Sequence, residues 1–549
     1  MHNGRRLDRF SFNRRAFIGS GAAAAGLVAA GPFGAAWAQD TRGASASRAV
    51  QTSAGRVQGV LLDGGVDAFY GIPYGAPTGG RNRFMPPKPA APWTGVREAV
   101  TVGHRSPQDF AGPISEVFSL DRQEPMGEDC LNLNVFTPAT GRGDRPVMVW
   151  LHGGGYSSGS GNWLLYDGAR LARSQDVVVV PVTHRLNVFG YLHLEEIGGA
   201  EFAGASNVGM LDIVAALEWV RDNIEQFGGD PRNVTIFGQS GGAGKVSALM
   251  GMPAAQGLFH RAIAMSGALL EGVPRSAATE TAERFMAALG VDSVEAMQRL
   301  PMERVRDVFA ESRGLQLSPT VDGHTLPEGP WAPGAPGMSA SVPMMLSSTE
   351  HEVNFMPFTP LDPMDDGALL GRVRDTTGAD DAQARELIEL YRSNRPGIDN
   401  TELYQILASD NSFRVGVTTE AERKAAQSEA PVYMYYFTWS SPVREGKLKA
   451  YHCLDIPFAF DNVEVAASMT GAGNDRYALS TKMSSAFAAF ARTGSPSTDA
   501  LPEWPAFDPE RRATMVMDNE CGVVEDPNGE ERVALARLRA ARAGSGRAS

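Results

Sequence analysis

Asn233-Val-Thr-Ile-Phe-Gly-Gln-Ser-Gly-Gly-Ala-Gly-Lys245 is the stretch that decides how the rest of the chain is read. Val234 to Phe237 is β-branched and aromatic, the composition that suits a pleated strand. It stops abruptly at Gly238, Gln239, Ser240, Gly241 and Gly242, and Ala243 to Met250 is compatible with a helix. Strand, tight turn and helix with a serine at the apex form the G-x-S-x-G elbow in the context that pattern requires. The glycines leave room for a strained apical residue whose hydroxyl stands clear of the sheet. The same five letters also fit an ordinary glycine-rich turn between strand and helix, so the remaining chain has to decide.

Upstream, Pro146 to Leu151 is an unbroken apolar run, as expected of a strand covered on both faces. It feeds directly into His152-Gly153-Gly154-Gly155, the glycine loop that can present backbone N–H groups to a developing oxyanion. A loose glycine linker is the competing reading, but a strand running straight into the loop argues against it. Asp176 to Val182 reads as another buried strand, and Gly209 to Phe227 places Leu211, Val214, Leu217, Val220 and Ile224 at helical spacing. Arg261 to Met265, Val342 to Leu346 and Pro431 to Thr438 continue the series of strands. Strands alternating with helices imply a parallel sheet with crossover helices. Glu128 to Pro138 reads as an alternating strand, Phe69 to Pro77 as an irregular Pro/Gly-rich surface segment, and Tyr477 to Arg492 as a late amphipathic helix.

With 549 residues, 43% hydrophobic and 21% charged, the chain can bury a large core. Neither internal repeats nor long linkers divide it, so residues 39–549 are expected to form one elaborated domain. The intervals about 270–340 and 357–430 are too long for simple crossovers and are expected to be cap-like insertions. Residues 1–38 read as a twin-arginine export signal: Asn13-Arg14-Arg15-Ala16-Phe17-Ile18, an Ala/Gly-rich stretch, and Ala36-Trp37-Ala38 as cleavage site. That implies a periplasmic or secreted protein. The leader carries a net +4, so its removal takes the formal charge from −13 to −17. Such an acidic chain disfavours nucleic acid and anionic membrane as partners. The basic tail from Glu531 to Arg542 reads as a solvated terminal helix. Cys130, Cys453 and Cys521 match no zinc or redox spacing, and no metal or cofactor is expected.

The sequence resembles the type-B carboxylesterases, the α/β-hydrolase branch that includes cholinesterases and bacterial p-nitrobenzyl esterases. FYGIPYGAP, RFMPP, EDCLNLNVFTP, HGGGY, HRLNVFGYL, NVGMLDIVAALEWVRDNIEQFGGDP, NVTIFGQSGG, MSGAL, AYHCLDIPFAFDN, LSTKMSSAFAAFARTGSPS and WPAFDPERRATMVMD carry the likeness. It spans most of the chain beyond the leader and is weakest between about 270 and 430. It implies an α/β-hydrolase fold with a mostly parallel central sheet, and an exported serine esterase acting on small-molecule esters. It places the base at His452, in His452-Cys-Leu-Asp-Ile-Pro-Phe-Ala-Phe460. The acid falls on Glu352 in Val342-Pro-Met-Met-Leu-Ser-Ser-Thr-Glu-His-Glu-Val353, with Glu350 as second candidate. Ser240 becomes the nucleophile, and Gly154, Gly155 and Gly241 the oxyanion donors. His152 is assigned to shaping the oxyanion loop, and His184 and His260 to packing or surface. Arg83 with Glu128, and Arg185 with Asp212, are implied as loop-pinning ion pairs.

Two departures bear on the substrate. Most of the family has glutamate before the serine and alanine after it, where this chain has Gln239 and Gly241. A neutral amide removes a charge that would favour a cationic ester, so an apolar, non-cationic substrate is expected. Met338, Met344, Met345, Met356, Phe355 and Trp439 are candidates for an apolar lining, with core packing as the plainer reading of each. Other classes remain on the table: a catalytically silent interaction protein, or an amide or carbamate hydrolase using the same groups. The oligomeric state has no legible motif.

Overall fold

The computed structural model describes residues 45–109, 115–121 and 124–545. The leader, with its arginine pair, lies outside the described residues. Strands that the sequence marks by apolar runs assemble into one twelve-stranded sheet. In chain order they are β1 (Ser45–Ala46), β2 (Val60–Leu62), β3 (Val66–Pro73), β4 (Asn132–Thr137), β5 (Gly141–Leu151) and β6 (Val178–Thr183). They continue as β7 (Phe227–Gln239), β8 (Arg261–Met265), β9 (Met344–Thr349), β10 (Val432–Phe437), β11 (Ala513–Met517) and β12 (Gly522–Glu525). Their spatial order is β1-β2-β3-β4-β6-β5-β7-β8-β9-β10-β11-β12. From β6 to β11 every neighbouring pair is parallel, and antiparallel strands close both edges. The core of the sheet is thus parallel, as read from the alternation of strand and helix patterns.

The continuous apolar runs are explained by burial on both faces. Val147, Val149 and Leu151 of β5 point into one core layer, while Met148 and Trp150 point into the other. β6 and β8 divide the same way, with Val178, Val180, Ala262 and Ala264 on the first side and Val179, Ile263 and Met265 on the second. The first layer is covered by α1 (Val208–Asn223), α2 (Gly241–Met250) and, further along the chain, the helix Val415–Ala425. Burial of such side chains contributes roughly 1.5–3 kcal/mol each.

The long interval after β8 holds α3 (Arg275–Leu289) and α4 (Met302–Glu311). The one after β9 holds α5 (Asp366–Thr377), α6 (Asp381–Asn394), α7 (Asn400–Ser409) and α8 (Val415–Ala425). A single π-helical turn, Asp410–Arg414, joins α7 to α8. On the second face of the sheet, α9 (Asp475–Thr493) buries Leu479, Met483, Phe487 and Phe490. The last helix is α10 (Gly529–Ser545).

Three readings need correction. Phe69–Pro73 is not irregular surface: it belongs to β3, with Phe69, Tyr70 and Ile72 buried, because its aromatic and β-branched residues outweigh its glycine and proline. The terminal helix is not simply solvated. Leu535 and Leu538 of α10 pack into a cluster with Leu387, Ile388 and Tyr391, and Glu531 pairs with Arg395 at 2.6 Å. Met344, Met345 and Trp439 are core rather than lining: the two methionines alternate across β9 into opposite layers, and Trp439 packs on Phe458. Met338, by contrast, is 37% exposed.

Candidate active site

The parallel strands end at a common level, which is where open α/β sheets collect their functional loops. Leu151 pairs with Gly238, Gln239 with Met265 and Met265 with Ser347, so the segments after β5, β7 and β9 leave the sheet side by side. Ser240 sits between β7 and α2 with φ 58° and ψ −122°, a strained conformation for a residue with a side chain. Its N–H donates to Met265 O at 2.8 Å, and its carbonyl accepts from Gly244 N at 3.0 Å, so both sides of the turn are fixed. A Cβ on Gly238 would lie 2.6 Å from the Gly242 carbonyl carbon, and one on Gly242 would lie 2.0 Å from Leu151 O. Close approach of strand and helix is therefore why both flanking glycines are needed.

Glu352 and His452 meet because the backbone pairs one residue earlier. His351 and Tyr451 form a parallel bridge, with His351 N–H donating to Ala450 O at 3.0 Å. The next residues then face each other, and Glu352 Oε2 lies 2.5 Å from His452 Nδ1. The other carboxylate oxygen accepts Thr349 N–H at 2.8 Å. His452 and Glu352 are almost wholly buried, at 2% and 0% exposure. With Nδ1 engaged by the Glu352 carboxyl, Nε2 is the ring nitrogen left to exchange a proton with a substrate or nucleophile. Glu350 points elsewhere: its oxygen is 3.7 Å from His351 Nδ1, and Glu402 holds the other side of that ring at 3.4 Å. The His351 neighbour also holds the Glu402 carboxyl well down, at about 2.

The ring of His452 packs against Phe413, at 4.8 Å, and Phe355, at 5.4 Å, both tilted to it. Gln239 Nε2 is 3.3 Å from each of its nitrogens, and the Cys453 thiol donates to Gln239 Oε1 at 3.2 Å. Burial raises that thiol well above its ordinary value, with the nearby Asp455 and Glu352 charges adding to the effect. Cys453 is therefore a thiol at neutral pH and not a competing nucleophile. All three cysteines are free. Asp455 sits behind this group, accepts from the Tyr435 hydroxyl at 2.9 Å, and is raised to about 7 by burial first and the Glu352 charge second.

The glycine loop approaches from the other side. An ideal Cβ on Gly153 would be 3.5 Å from Ser240 Cβ, and one on Gly241 would be 2.2 Å from Gly155 O. Gly154 and Gly155 adopt φ 88° and 62°, which glycine alone takes without strain. Among the described residues, the N–H groups of Gly154, Gly155 and Gly241 have no protein acceptor. His152 is fully buried and is lowered to about 3 by burial and then by Lys245, so it is neutral. Its Nδ1–H donates to Gly153 O at 2.8 Å, and its ring stacks on His184 at 4.7 Å and 12°. His184 is likewise buried inside this stack, while His260 is half-buried and accepts Val234 N–H.

Both implied ion pairs form. Arg83 binds Glu128 through two 2.7 Å bonds and also reaches the carbonyls of Met297 and Leu300. Arg185 and Asp212 are 1% and 0% exposed and joined at 2.6 and 2.8 Å. Sequence reasoning missed Phe413, Asp455 and Lys245. Phe413 and Asp455 had no local signal, since a phenylalanine in a helical stretch and an aspartate after a histidine read as packing and surface. Lys245 had one, a charged residue inside an otherwise small and apolar helix.

The Carboxylesterase family model matches residues 46–535. The para-nitrobenzyl esterase of Bacillus subtilis is 36% identical over 505 residues, covering 88% of this chain and 98% of that protein. The phenmedipham hydrolase of Pseudarthrobacter oxydans is 34% identical over 500 residues, covering 85% and 94%. The crystal structure of a Geobacillus stearothermophilus carboxylesterase superposes with TM-score 0.77 at 36% identity, covering 89% of this chain and all of that one. Family match, relatives spanning nearly their whole length and a shared α/β-hydrolase architecture agree: the chain belongs to the carboxylesterase family and is a carboxylic ester hydrolase.

Proposed function

We propose that this chain is an exported serine carboxylesterase using Ser240, His452 and Glu352 on apolar, non-cationic esters. His452 Nε2 takes the Ser240 proton as the hydroxyl oxygen attacks the ester carbonyl, and Glu352 stabilises the imidazolium that forms. The N–H groups of Gly154, Gly155 and Gly241 receive the negative charge on the tetrahedral oxygen. His452 then protonates the departing alcohol, and water repeats the sequence on the acyl-enzyme. The observation that carries this reading is the 2.5 Å Glu352–His452 contact, with Gln239, the residue before the strained Ser240, 3.3 Å from both imidazole nitrogens.

The preference for apolar esters is supported by Phe355 and Phe413 packed against the base and by the neutral Gln239 beside it. Export is supported by the Arg14-Arg15 pair and the Ala/Gly-rich stretch that follows it in the sequence. The test is hydrolysis of p-nitrophenyl butyrate by the purified protein and by Ser240→Ala. Turnover by the parent and none above background by the variant is expected; equal rates would discard the reading.

A further inference from the structure

A buried amine stands behind the glycine loop. Lys245 of α2 is fully buried, and among the described residues no carboxylate pairs with it. Its Nζ donates instead to two carbonyls of the glycine loop, Gly155 O at 2.8 Å and His152 O at 3.1 Å. It also lies 5.2 Å from the centre of the Tyr156 ring, within cation–π range. Burying an ammonium without a counter-ion is costly, and burial alone brings this one down to about 7. A position that needed only packing would be filled at less cost by leucine or methionine.

The loop's peptide groups show what the cost secures. Gly153 O accepts from His152 Nδ1, and Gly154 O accepts from the N–H groups of Ser157 and Ser158. The two remaining carbonyls, of His152 and Gly155, are those held by Lys245. Four consecutive carbonyls are thus committed. In a trans peptide the carbonyl of one residue opposes the N–H of the next, so Gly154 N–H is oriented through Gly153 O and Gly155 N–H through Gly154 O, while Lys245 fixes the two peptides that flank them.

Gly241 belongs to the same arrangement. The Gly155 oxygen that Lys245 binds occupies the space where a Cβ on residue 241 would be, at 2.2 Å. Glycine after the nucleophile makes room for that carbonyl to come down on α2, and Lys245 holds it there.

We propose that Lys245 is a positioning residue for oxyanion stabilisation, latching the His152–Gly155 loop onto α2 through two carbonyls, with Gly241 as the gap that lets the latch close. This rests on the serine-esterase reading and extends it. Because the loop acts on the tetrahedral oxygen and not on the bound ester, loss of the latch lowers kcat and weakens trifluoromethyl ketones, which bind as tetrahedral adducts, while leaving KM nearly unchanged.

The experiment is a double-mutant cycle of Lys245→Met and Gly241→Ala, with Lys245→Gln as a variant that keeps one donor should Lys245→Met fail to fold. Each single change is expected to lower kcat by about 10- to 100-fold with KM within about threefold, less than the roughly 10²–10³ of losing an oxyanion donor outright, because the donors are displaced and not removed. The double variant should be within about threefold of the worse single, since both changes release the same carbonyl. Lys245→Gln should fall between parent and Lys245→Met. Independent, multiplying losses, or parental kcat in a folded Lys245 variant, would overturn the latch. Ser240→Ala separates the two ideas: full activity in that variant would remove the serine-esterase reading itself, whereas an inert variant with multiplying losses removes only the latch.

Discussion

Glu352 and His452, one hundred residues apart in the chain, are joined at 2.5 Å because their predecessors, His351 and Tyr451, pair as a β-bridge. The contact is therefore a property of two loops leaving neighbouring strands β9 and β10. Thr349 N–H holds the second carboxylate oxygen, so the acid is fixed before any substrate arrives.

Exchanging the two candidate acids separately distinguishes them. Glu352→Gln should lower kcat by about 10³–10⁴, since the amide no longer stabilises the imidazolium or its tautomer. Glu350→Gln, whose carboxyl faces His351, should cost less than about tenfold. Steady-state rates on one p-nitrophenyl ester decide the matter, and a larger loss at Glu350 would reverse the assignment.

Gln239 sets the charge beside the base. Gln239→Glu would place a carboxylate about where Nε2 now lies, 3.3 Å from the imidazole nitrogens. An adjacent anion favours the protonated imidazole, so the rising limb of kcat/KM should move to higher pH, by about one unit. The same variant should gain relative activity on choline-type esters over their neutral isosteres. An unchanged limb in a folded variant contradicts this picture.

Much of the fold was legible because its signals are local. Pro146–Leu151 and Asp176–Val182 announce strands covered on both faces, and Gly238 and Gly242 mark the elbow by their spacing alone. Ser240 and the 152–155 loop follow from the same local rules. His452 and Glu352 were reached only through family resemblance, because a bridge between residues 351 and 451 leaves no periodic trace. Phe413 was illegible for a related reason: its place beside His452 depends on a π-helical turn between α7 and α8. Met344 and Met345 misled as lining candidates because composition does not tell which side of a strand faces a pocket.

Glu420 offers a test of burial on stability. Its carboxylate is fully buried, and burial raises the group from 4.5 to about 8 against a smaller lowering by the Ser247 hydroxyl. A carboxyl raised in the folded state stabilises the fold most below its unfolded value, and that contribution is lost as pH climbs through the folded value. Glu420→Gln should therefore match the parent near pH 4 and exceed it progressively between about pH 4.5 and 8, by a few kcal/mol at most. Urea melts of both proteins across that range give the comparison, and parallel curves would contradict it.

Arg185–Asp212 is the buried pair whose disruption should be felt most in folding. Asp212→Ala leaves the Arg185 guanidinium uncompensated at 1% exposure and should destabilise by about 3–5 kcal/mol. Thermal unfolding reports it directly, and a shift within error of the parent would show that the pair is replaceable.

The central claim is that Ser240 is the activated nucleophile, and covalent capture tests it without a substrate being known. The purified protein is treated with a fluorophosphonate, digested, and the modified peptide sequenced by mass spectrometry. One adduct per chain on Ser240, absent from Ser240→Ala and slowed in Glu352→Gln, is the predicted result. No adduct on the folded parent protein, or equal labelling of Ser240→Ala, would contradict it.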